Sequence, residues 1–204
     1  AVIDRFLAVE AALARAEAAA GVIPEPAAAE ITENATADRV DRDRLADLIA
    51  ETGLVSMSII GAWKPALGEA GEYVHWGATS QDVQDTVAVL QLREALGIVR
   101  RDLEAVEAAL ASIAREHAET PMMGRTHYVH AIPITFGLKA AVWLDEVARH
   151  RTRLDQLEER VSCLQFFGAT GTLASLGEVG LEVQEHLADE LDLTVPPVAW
   201  QAAR

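Results

Sequence analysis

The sequence predicts an all-α protein built as a bundle of long helices. Alanine dominates the 204 residues, leucine, glutamate and arginine are frequent, and aromatic residues make up only 5%. This mixture favours helix over sheet. Several long stretches place apolar residues three or four positions apart, which is the period of one helix face. Glycine and proline clusters separate these stretches and are typical of helix ends.

Two helices are predicted before the first polar motif. The first covers residues 2–20 and ends at Gly21. The second covers about residues 41–60 and stops before Pro65. The apolar face of the first helix consists of Ile3, Phe6, Leu7, Leu13 and Ala16.

A glycine-bearing connection leads to the longest helical pattern of the chain. Thr79 and Asp82 have the spacing of a capping box, which satisfies free N–H groups at a helix start. The apolar seam that follows consists of Leu92, Leu96, Val99, Leu103, Val106, Leu110 and Ile113. A helix over residues 81–118 is ~57 Å long at 1.5 Å per residue, whereas a compact domain of this size has a radius of about 16–17 Å. We therefore expect an elongated bundle and an oligomer.

Two more helices complete the pattern, one over about residues 134–164 and one over residues 176–191. Between them, the glycine-rich segment 167–172 is expected to form a turn or a helix kink. The apolar stripe of the longer helix consists of Leu144, Val147, Leu154, Leu157, Val161 and Leu164.

The pattern predicts two domains. Residues 1–78 form an N-terminal helical domain, and residues 79–204 form the first part of a central long-helix bundle. The chain opens without Met and stops at Arg204 without a terminating signal. It is therefore expected to be the N-terminal part of a larger subunit.

The chain is strongly acidic, with a formal net charge of −15 from 17 Lys and Arg against 32 Asp and Glu. Such a field repels nucleic acid and anionic membranes, so neither is an expected partner. It also repels an anionic substrate, so a site for an acid must build a local positive potential. Only two of the cations are lysines. This scarcity fits either an ordinary solvated surface from an arginine-rich genome or a host with high intracellular salt.

The sequence contains no predicted membrane helix and no predicted leader. No segment approaches the ~18 uninterrupted apolar residues that a membrane helix needs, and no basic-then-apolar stretch opens the chain. The single cysteine, Cys163, excludes an internal disulfide and lies in an apolar run, where a small buried side chain is expected rather than a reactive thiol. A cytoplasmic protein is expected.

Two polar motifs carry the functional information. The first is residues 75–82 (HWGATSQD) and the second is residues 124–131 (GRTHYVHA). Each lies at the end of a long helical pattern, where free backbone N–H groups and side-chain donors converge. Hydroxyls, amides and histidines in such places hold carboxylates and move protons. Together the motifs predict an enzyme that acts on a multiply charged acid.

These motifs resemble two of the three signature regions of the fumarase/aspartase superfamily, and the resemblance covers essentially the whole chain. It implies a long-helix bundle of the fumarase/aspartase type, a small di- or tricarboxylate substrate, and a homotetramer whose active sites each draw on three subunits. The third signature, a serine-bearing loop with a Met-Pro-x-Lys-x-Asn-Pro pattern, does not occur in residues 1–204. Its general base is expected beyond Arg204, so the segment alone is expected to be inactive. No cofactor and no metal are expected.

Within the superfamily, three segments resemble the 3-carboxy-cis,cis-muconate cycloisomerase branch, which forms a lactone in aromatic degradation. Their sequences are those of residues 75–82, 134–139 (ITFGLK) and 164–174. Val129 stands where the family usually has a glutamine that contacts substrate, and Phe167 stands where glycine is usual. Both departures bear on which substrate is accepted, because the polarity of a pocket sets its discrimination between substrates. Adenylosuccinate lyase, which releases fumarate in purine biosynthesis, is the alternative. A non-catalytic helical scaffold for oligomerisation is the alternative of another class.

The resemblance also implies residue roles. Thr79 and Ser80 would stabilise the aci-carboxylate intermediate with hydroxyl and helix N–H groups, although helix capping alone also explains Thr79. His127 would act as general acid or as an orienter of the leaving group, and His130 could share a helical face with it. The other predicted substrate-binding residues are His75, Gln81, Arg125 and Thr126. For His75 and Arg125, bracing a loop is the alternative role.

Overall fold

The computed structural model describes residues 2–203 and confirms the all-α prediction. Two short strands form the only sheet among these residues. The α-helices are α1 (Val2–Ala19), α2 (Glu25–Glu33), α3 (Arg42–Thr52), α4 (Val55–Trp63), α5 (Ser80–Glu116), α6 (Phe136–Val161) and α7 (Gly180–Leu191). Strands β1 (Pro121–Thr126) and β2 (Val129–Thr135) lie between α5 and α6. No described helix is long and apolar enough to cross a membrane.

The chain divides into two compact units. The first unit contains residues 1–91 and 162–204, and the second unit contains residues 92–161. Helix α1 lies at the centre of the first unit and packs against α2 and α7. Its Leu7 belongs to one buried apolar cluster together with Trp63, and its Leu13 belongs to a second cluster together with Phe166. The predicted apolar face of α1 is therefore a true core face.

The prediction of a single helix over residues 41–60 is wrong. Asp41 caps α3 by accepting hydrogen bonds from two backbone N–H groups, and Gly53 ends the helix in the left-handed conformation with φ 68°. Glycine adopts this conformation without a Cβ penalty, and it commonly terminates helices. The chain then starts again as α4. The short helix α2 was not predicted, although Pro24 and Pro26 stand at its start, where proline fits the first helical turn.

Helix α5 confirms the predicted longest helix, since it starts one residue before Gln81 and ends two residues before Ala118. At its start the Asp82 carboxylate accepts a hydrogen bond from the Thr79 N–H group at 3.0 Å. This contact is the predicted backward half of the capping box. In the seam that follows, Leu96 is buried, whereas Val99 and Val106 are about half exposed.

The second unit contains a β-hairpin that the sequence analysis did not predict. Strands β1 and β2 pair antiparallel, with Thr126 opposite Val129 and Arg125 opposite His130. After the hairpin, α6 begins against the backbone of the end of α5. At Gly137 an added Cβ would lie 2.6 Å from the carbonyl oxygen of Ala114, so only glycine fits there without a shift.

The chain returns to the first unit after α6. Residues 163–168 are buried, and Cys163 lies beside Thr194 in a parallel bridge. The prediction that this cysteine is buried is confirmed. Gly168 and Gly171 have φ of 73° and 81°, so the glycine-rich segment is a turn and not a helix kink. The last predicted helix starts four residues later than expected, because a short 3₁₀ turn precedes α7.

Candidate active site

The first motif forms a loop that leads directly into α5. His75 and Gly77 both have left-handed backbones, with φ of 65° and 69°. An added Cβ at Gly77 would lie 2.7 Å from the Leu176 side chain, so the loop lies tightly against the segment before α7. The loop places Thr79 and Ser80 at the first turn of α5, where both are half-buried.

Asp82 anchors this loop. The side chain is buried, and its carboxylate accepts hydrogen bonds from the N–H groups of Thr79 at 3.0 Å, Phe167 at 3.0 Å and Gly168 at 2.9 Å, and from the Gln201 amide at 2.7 Å. Burial raises the pKa of Asp82, and the four hydrogen bonds oppose that rise. Because Phe167 contributes its backbone N–H group, the departure from glycine at this position leaves the contact intact.

The start of α5 can hold an anion. Thr79 and Ser80 provide hydroxyl groups, and the first turn of a long helix provides backbone N–H groups and the positive end of the helix dipole. Gln81 donates a hydrogen bond from Nε2 to the Asp85 carboxylate at 2.6 Å, which fixes its amide. Thr79, Ser80 and Gln81 are therefore brought together at one helix end, as the sequence analysis predicted. Their roles with substrate stay predictions.

His75 belongs to the same unit and contacts a carboxylate that the sequence analysis missed. Its Nδ1 lies 2.8 Å from Oε1 of Glu10, and the side chains are 10% and 1% exposed. Burial lowers the pKa of His75, but the hydrogen bond and charge of Glu10, with a contribution from Asp82, raise it above its ordinary value, while Lys64 opposes the rise. Glu10 therefore favours the protonated form of the His75 imidazole.

A second buried carboxyl group lies on the same face of α1. Glu17 is fully buried, and among the described residues neither of its carboxyl oxygens has a hydrogen-bond partner. Burial, with a contribution from the charge of Glu10, raises the pKa of Glu17 to about 9. Glu17 is therefore a neutral acid at pH 7. The spacing of Glu10 and Glu17, seven residues apart within an otherwise apolar face, was a signal available in the sequence.

Glu17→Gln should make stability less sensitive to pH. The folded-state pKa of Glu17 lies above its unfolded value. Its contribution to the free energy of unfolding is therefore fully present below pH 4.5 and is lost as pH rises towards about 9. The wild type should lose about 1.4 kcal/mol per pH unit across this window relative to the variant. Thermal unfolding of both proteins from pH 5 to pH 9 measures the difference. Parallel curves of Tm against pH would contradict the assignment.

The second motif forms the tip of the hairpin in the second unit. His127 and Tyr128 make a two-residue turn, and both have left-handed backbones, with φ of 48° and 66°. Positive φ at both central residues matches the twist of a tight hairpin, but it is strained for a bulky side chain such as that of Tyr128. Such strain is concentrated at functional sites. The turn projects His127 into solvent beside Tyr128, which is 98% exposed.

The structure places the predicted residues of the second motif on strands and turn, all exposed. Arg125 and Thr126 lie on β1, and His130 lies on β2 opposite Arg125. The expectation that His127 and His130 share a helical face is wrong, because His127 lies in the turn and His130 in a strand. Among residues 2–203, no group of three or more His, Cys, Asp or Glu side chains is placed to hold a metal ion.

Known proteins match this chain over nearly its whole length. A profile described as Lyase matches residues 2–203. N-acetyl-S-(2-succino)cysteine lyase of Dickeya dadantii is 46% identical over 99% of the chain and 44% of that protein. Adenylosuccinate lyase of Pyrococcus abyssi is 42% identical over 94% of the chain and 42% of that protein.

A solved structure matches the fold as closely. The crystal structure of the 3-carboxy-cis,cis-muconate lactonizing enzyme from Pseudomonas putida is similar with a TM-score of 0.92 and 44% identity, over 97% of this chain and 46% of that one. The chain thus spans less than half the length of the relatives it matches. These relatives differ in the substrates that their names give, so similarity alone does not select one substrate.

Proposed function

The chain belongs to the lyase family of the fumarase/aspartase superfamily, and from this premise we propose that it contributes to an enzyme that adds or eliminates a group next to a carboxylate. The observation that carries the proposal is the placement of Thr79 and Ser80 at the start of α5, directly after the loop in which Glu10 contacts His75. The hydroxyl groups and the free N–H groups at this helix start would supply the hydrogen-bond donors that a substrate carboxylate needs. A non-catalytic scaffold has no use for them.

The chemistry follows from the charge that develops. A base removes a proton from the carbon next to a carboxylate, and the electron pair moves onto that carboxylate as an aci-form. The aci-form then expels the group on the adjacent carbon as the double bond forms. Donors aimed in advance at the doubly charged carboxylate lower this barrier most. Thr79, Ser80 and the N–H groups of the first turn of α5 would serve as these donors.

We propose 3-carboxy-cis,cis-muconate as the substrate. In this direction a substrate carboxylate oxygen adds to one carbon of the diene, and the resulting aci-carboxylate then takes a proton at carbon. A carboxylate nucleophile needs no proton exchange, so His127 would act by charge and hydrogen bonding. Two observations support this substrate: the amino-acid sequence of residues 75–82 and the similarity to a lactonizing enzyme over 97% of this chain.

A fumarate-releasing lyase is the second candidate. The similarity to N-acetyl-S-(2-succino)cysteine lyase and to adenylosuccinate lyase favours it. Both of those names describe a succinyl group on a larger molecule. Val129 bears on this choice, because it places an apolar side chain beside His130 on the hairpin, where the family usually has an amide.

Steady-state kinetics on the full-length protein should separate the two candidates. With 3-carboxy-cis,cis-muconate, we expect turnover to a lactone, seen as loss of the diene absorbance in the ultraviolet. Adenylosuccinate and N-acetyl-S-(2-succino)cysteine should give kcat/KM values at least about tenfold lower, the smaller end of discrimination by one pocket contact. Preferred release of fumarate from either compound would instead select the second candidate. No turnover of any of the three would contradict the proposed class of substrate.

We also propose a homotetramer with shared active sites. The second unit leaves large apolar side chains exposed on α5 and α6: Ile98, Val99, Val106, Leu138, Val142 and Trp143. Large apolar side chains exposed together on two neighbouring helices are typical of a subunit contact. A partner there would cover these side chains, and light scattering of the full-length protein measures the stoichiometry.

A further inference from the structure

We propose that Glu10 is a positioning residue that holds the His75 ring with Nε2 free to meet a substrate carboxylate. This inference rests on the proposed function, because it gives His75 a substrate to meet. Glu10 lies on α1, sixty-five positions away from His75 in sequence. It lies outside both polar motifs.

The geometry of the pair carries the inference. The contact between Nδ1 of His75 and Oε1 of Glu10, at 2.8 Å, leaves Nε2 without a hydrogen-bond partner among the described residues. An imidazole whose Nδ1 proton is held by a carboxylate keeps a fixed ring orientation. Hydrogen bonds of this kind to a charged partner are roughly twice as strong as neutral ones. Nε2 is therefore the ring atom available to a ligand.

The pair is a poor choice for stability alone. Taking both groups out of water costs several kcal/mol each, and well-packed apolar residues commonly replace a buried ion pair without loss. The second oxygen of Glu10, Oε2, is buried and has no hydrogen-bond partner among the described residues. His75 itself has a left-handed backbone with φ 65°, a conformation that costs free energy in residues other than glycine. The desolvation of the pair, the unpartnered oxygen of Glu10 and the backbone of His75 each cost free energy. Together they indicate a function for the contact.

Charged groups around the ring fix the expected direction of its response. Glu10 and Asp82 favour the protonated ring, whereas Lys64 and burial favour the neutral ring. Without the charge of Glu10, burial dominates. The His75 pKa should then fall below its ordinary value, since burial disfavours the charged form of a histidine.

Glu10→Gln in the full-length protein tests the proposal, with Glu17→Gln as the matched control. Both substitutions change a buried glutamate on the same face of α1 into its amide. Glu17 is already neutral below pH 9 because its pKa is about 9, so its replacement removes no charge near neutral pH. Only Glu10 contacts His75. Both variants are measured by NMR titration of ¹⁵N-labelled histidine, with His75 assigned through His75→Gln, and by the pH profile of kcat/KM.

In the Glu10→Gln variant, the His75 titration midpoint should fall by about one pH unit or more. The alkaline limb of kcat/KM should move to lower pH by the same amount, because substrate binding needs the protonated ring. At neutral pH, kcat/KM should fall about tenfold or more, mainly through KM. Lowering the pH should restore it. Glu17→Gln should leave the His75 midpoint and the pH profile unchanged.

The two readouts separate this inference from the proposed function. An unchanged His75 midpoint in Glu10→Gln would overturn the pairing itself, whatever substrate the enzyme uses. A shifted midpoint with an unshifted kcat/KM profile would overturn the positioning role. A shifted midpoint in a protein that turns over none of the three acids would support the pairing and reject the proposed substrates. If low pH does not restore the activity lost in Glu10→Gln, then the role of Glu10 is structural.

Discussion

Replacing His127 by alanine in the full-length enzyme should lower kcat by roughly 10²–10⁴, the usual worth of a positioned acid–base or charged group. The side chain lies at the exposed tip of the hairpin and contributes little to packing. The loss should therefore come from chemistry and not from unfolding. Substrate binding should survive better than turnover, because Thr79 and Ser80 remain to hold a carboxylate.

The backbone of His127 calls for a second variant. Its φ of 48° is one that asparagine adopts more readily than alanine. His127→Asn therefore preserves the turn while removing the imidazole. If both variants lose turnover equally, the imidazole is responsible, whereas recovery in His127→Asn would mean that the turn conformation mattered.

His186→Ala is the control for loss of a histidine. This residue lies on α7 in the first unit, on an exposed helix face beside Glu182. Its removal should leave kcat within about twofold of the wild type, in line with the small effects of surface substitutions. Wild-type kcat in both His127 variants would remove that residue from the mechanism.

Local patterns made the long helices predictable. The start of α5 follows from a capping residue and a carboxylate three positions later, and the core face of α1 follows from apolar spacing. Both signals lie within a few residues of the structure they specify. Thr79, Ser80 and Gln81 lie together for the same local reason, because consecutive residues at a helix start share one end.

The hairpin was harder to predict, because its turn lacks the residue types that usually form such turns. A two-residue hairpin turn is normally signalled by Asn-Gly or Asp-Gly, whereas here it is His127-Tyr128. Alternation was also obscured, since Pro121 and Pro133 bracket the segment and Gly124 lies at a β-bulge. Gly53 was a signal for the break between α3 and α4, because glycine commonly ends a helix. The apolar pattern that continues past it favoured one longer helix instead.

The contacts that assemble the first motif join residues distant in sequence. Glu10 meets His75 across 65 positions, and Asp82 meets Phe167 and Gln201 across 85 and 119 positions. A motif identifies its own residues but says nothing of the partner that orients each one. A buried glutamate on a helix face indicates either a partner for its charge, as for Glu10, or a neutral acid, as for Glu17.

Asp82→Ala should strongly destabilise the first unit. It removes the acceptor of four hydrogen bonds and leaves the N–H groups of Phe167 and Gly168 and the amide of Gln201 without their carboxylate partner. Unsatisfied buried donors cost about 1–3 kcal/mol each. With partial relaxation, we expect a loss of about 3–5 kcal/mol, seen as a lower Tm in thermal unfolding. Turnover should fall as well, because the same carboxylate holds Thr79.

Asp47→Ala is the control, since Asp47 lies exposed on α3. It should change stability by no more than about 0.5 kcal/mol. Adding substrate should raise the Tm of Asp47→Ala as much as that of the wild type, whereas Asp82→Ala should show a smaller rise, because binding must first restore the loop. A wild-type Tm in Asp82→Ala would mean that the turn at residues 167–168 and the start of α5 are held by other contacts. The four hydrogen bonds of Asp82 would then be a consequence of the fold and not its cause.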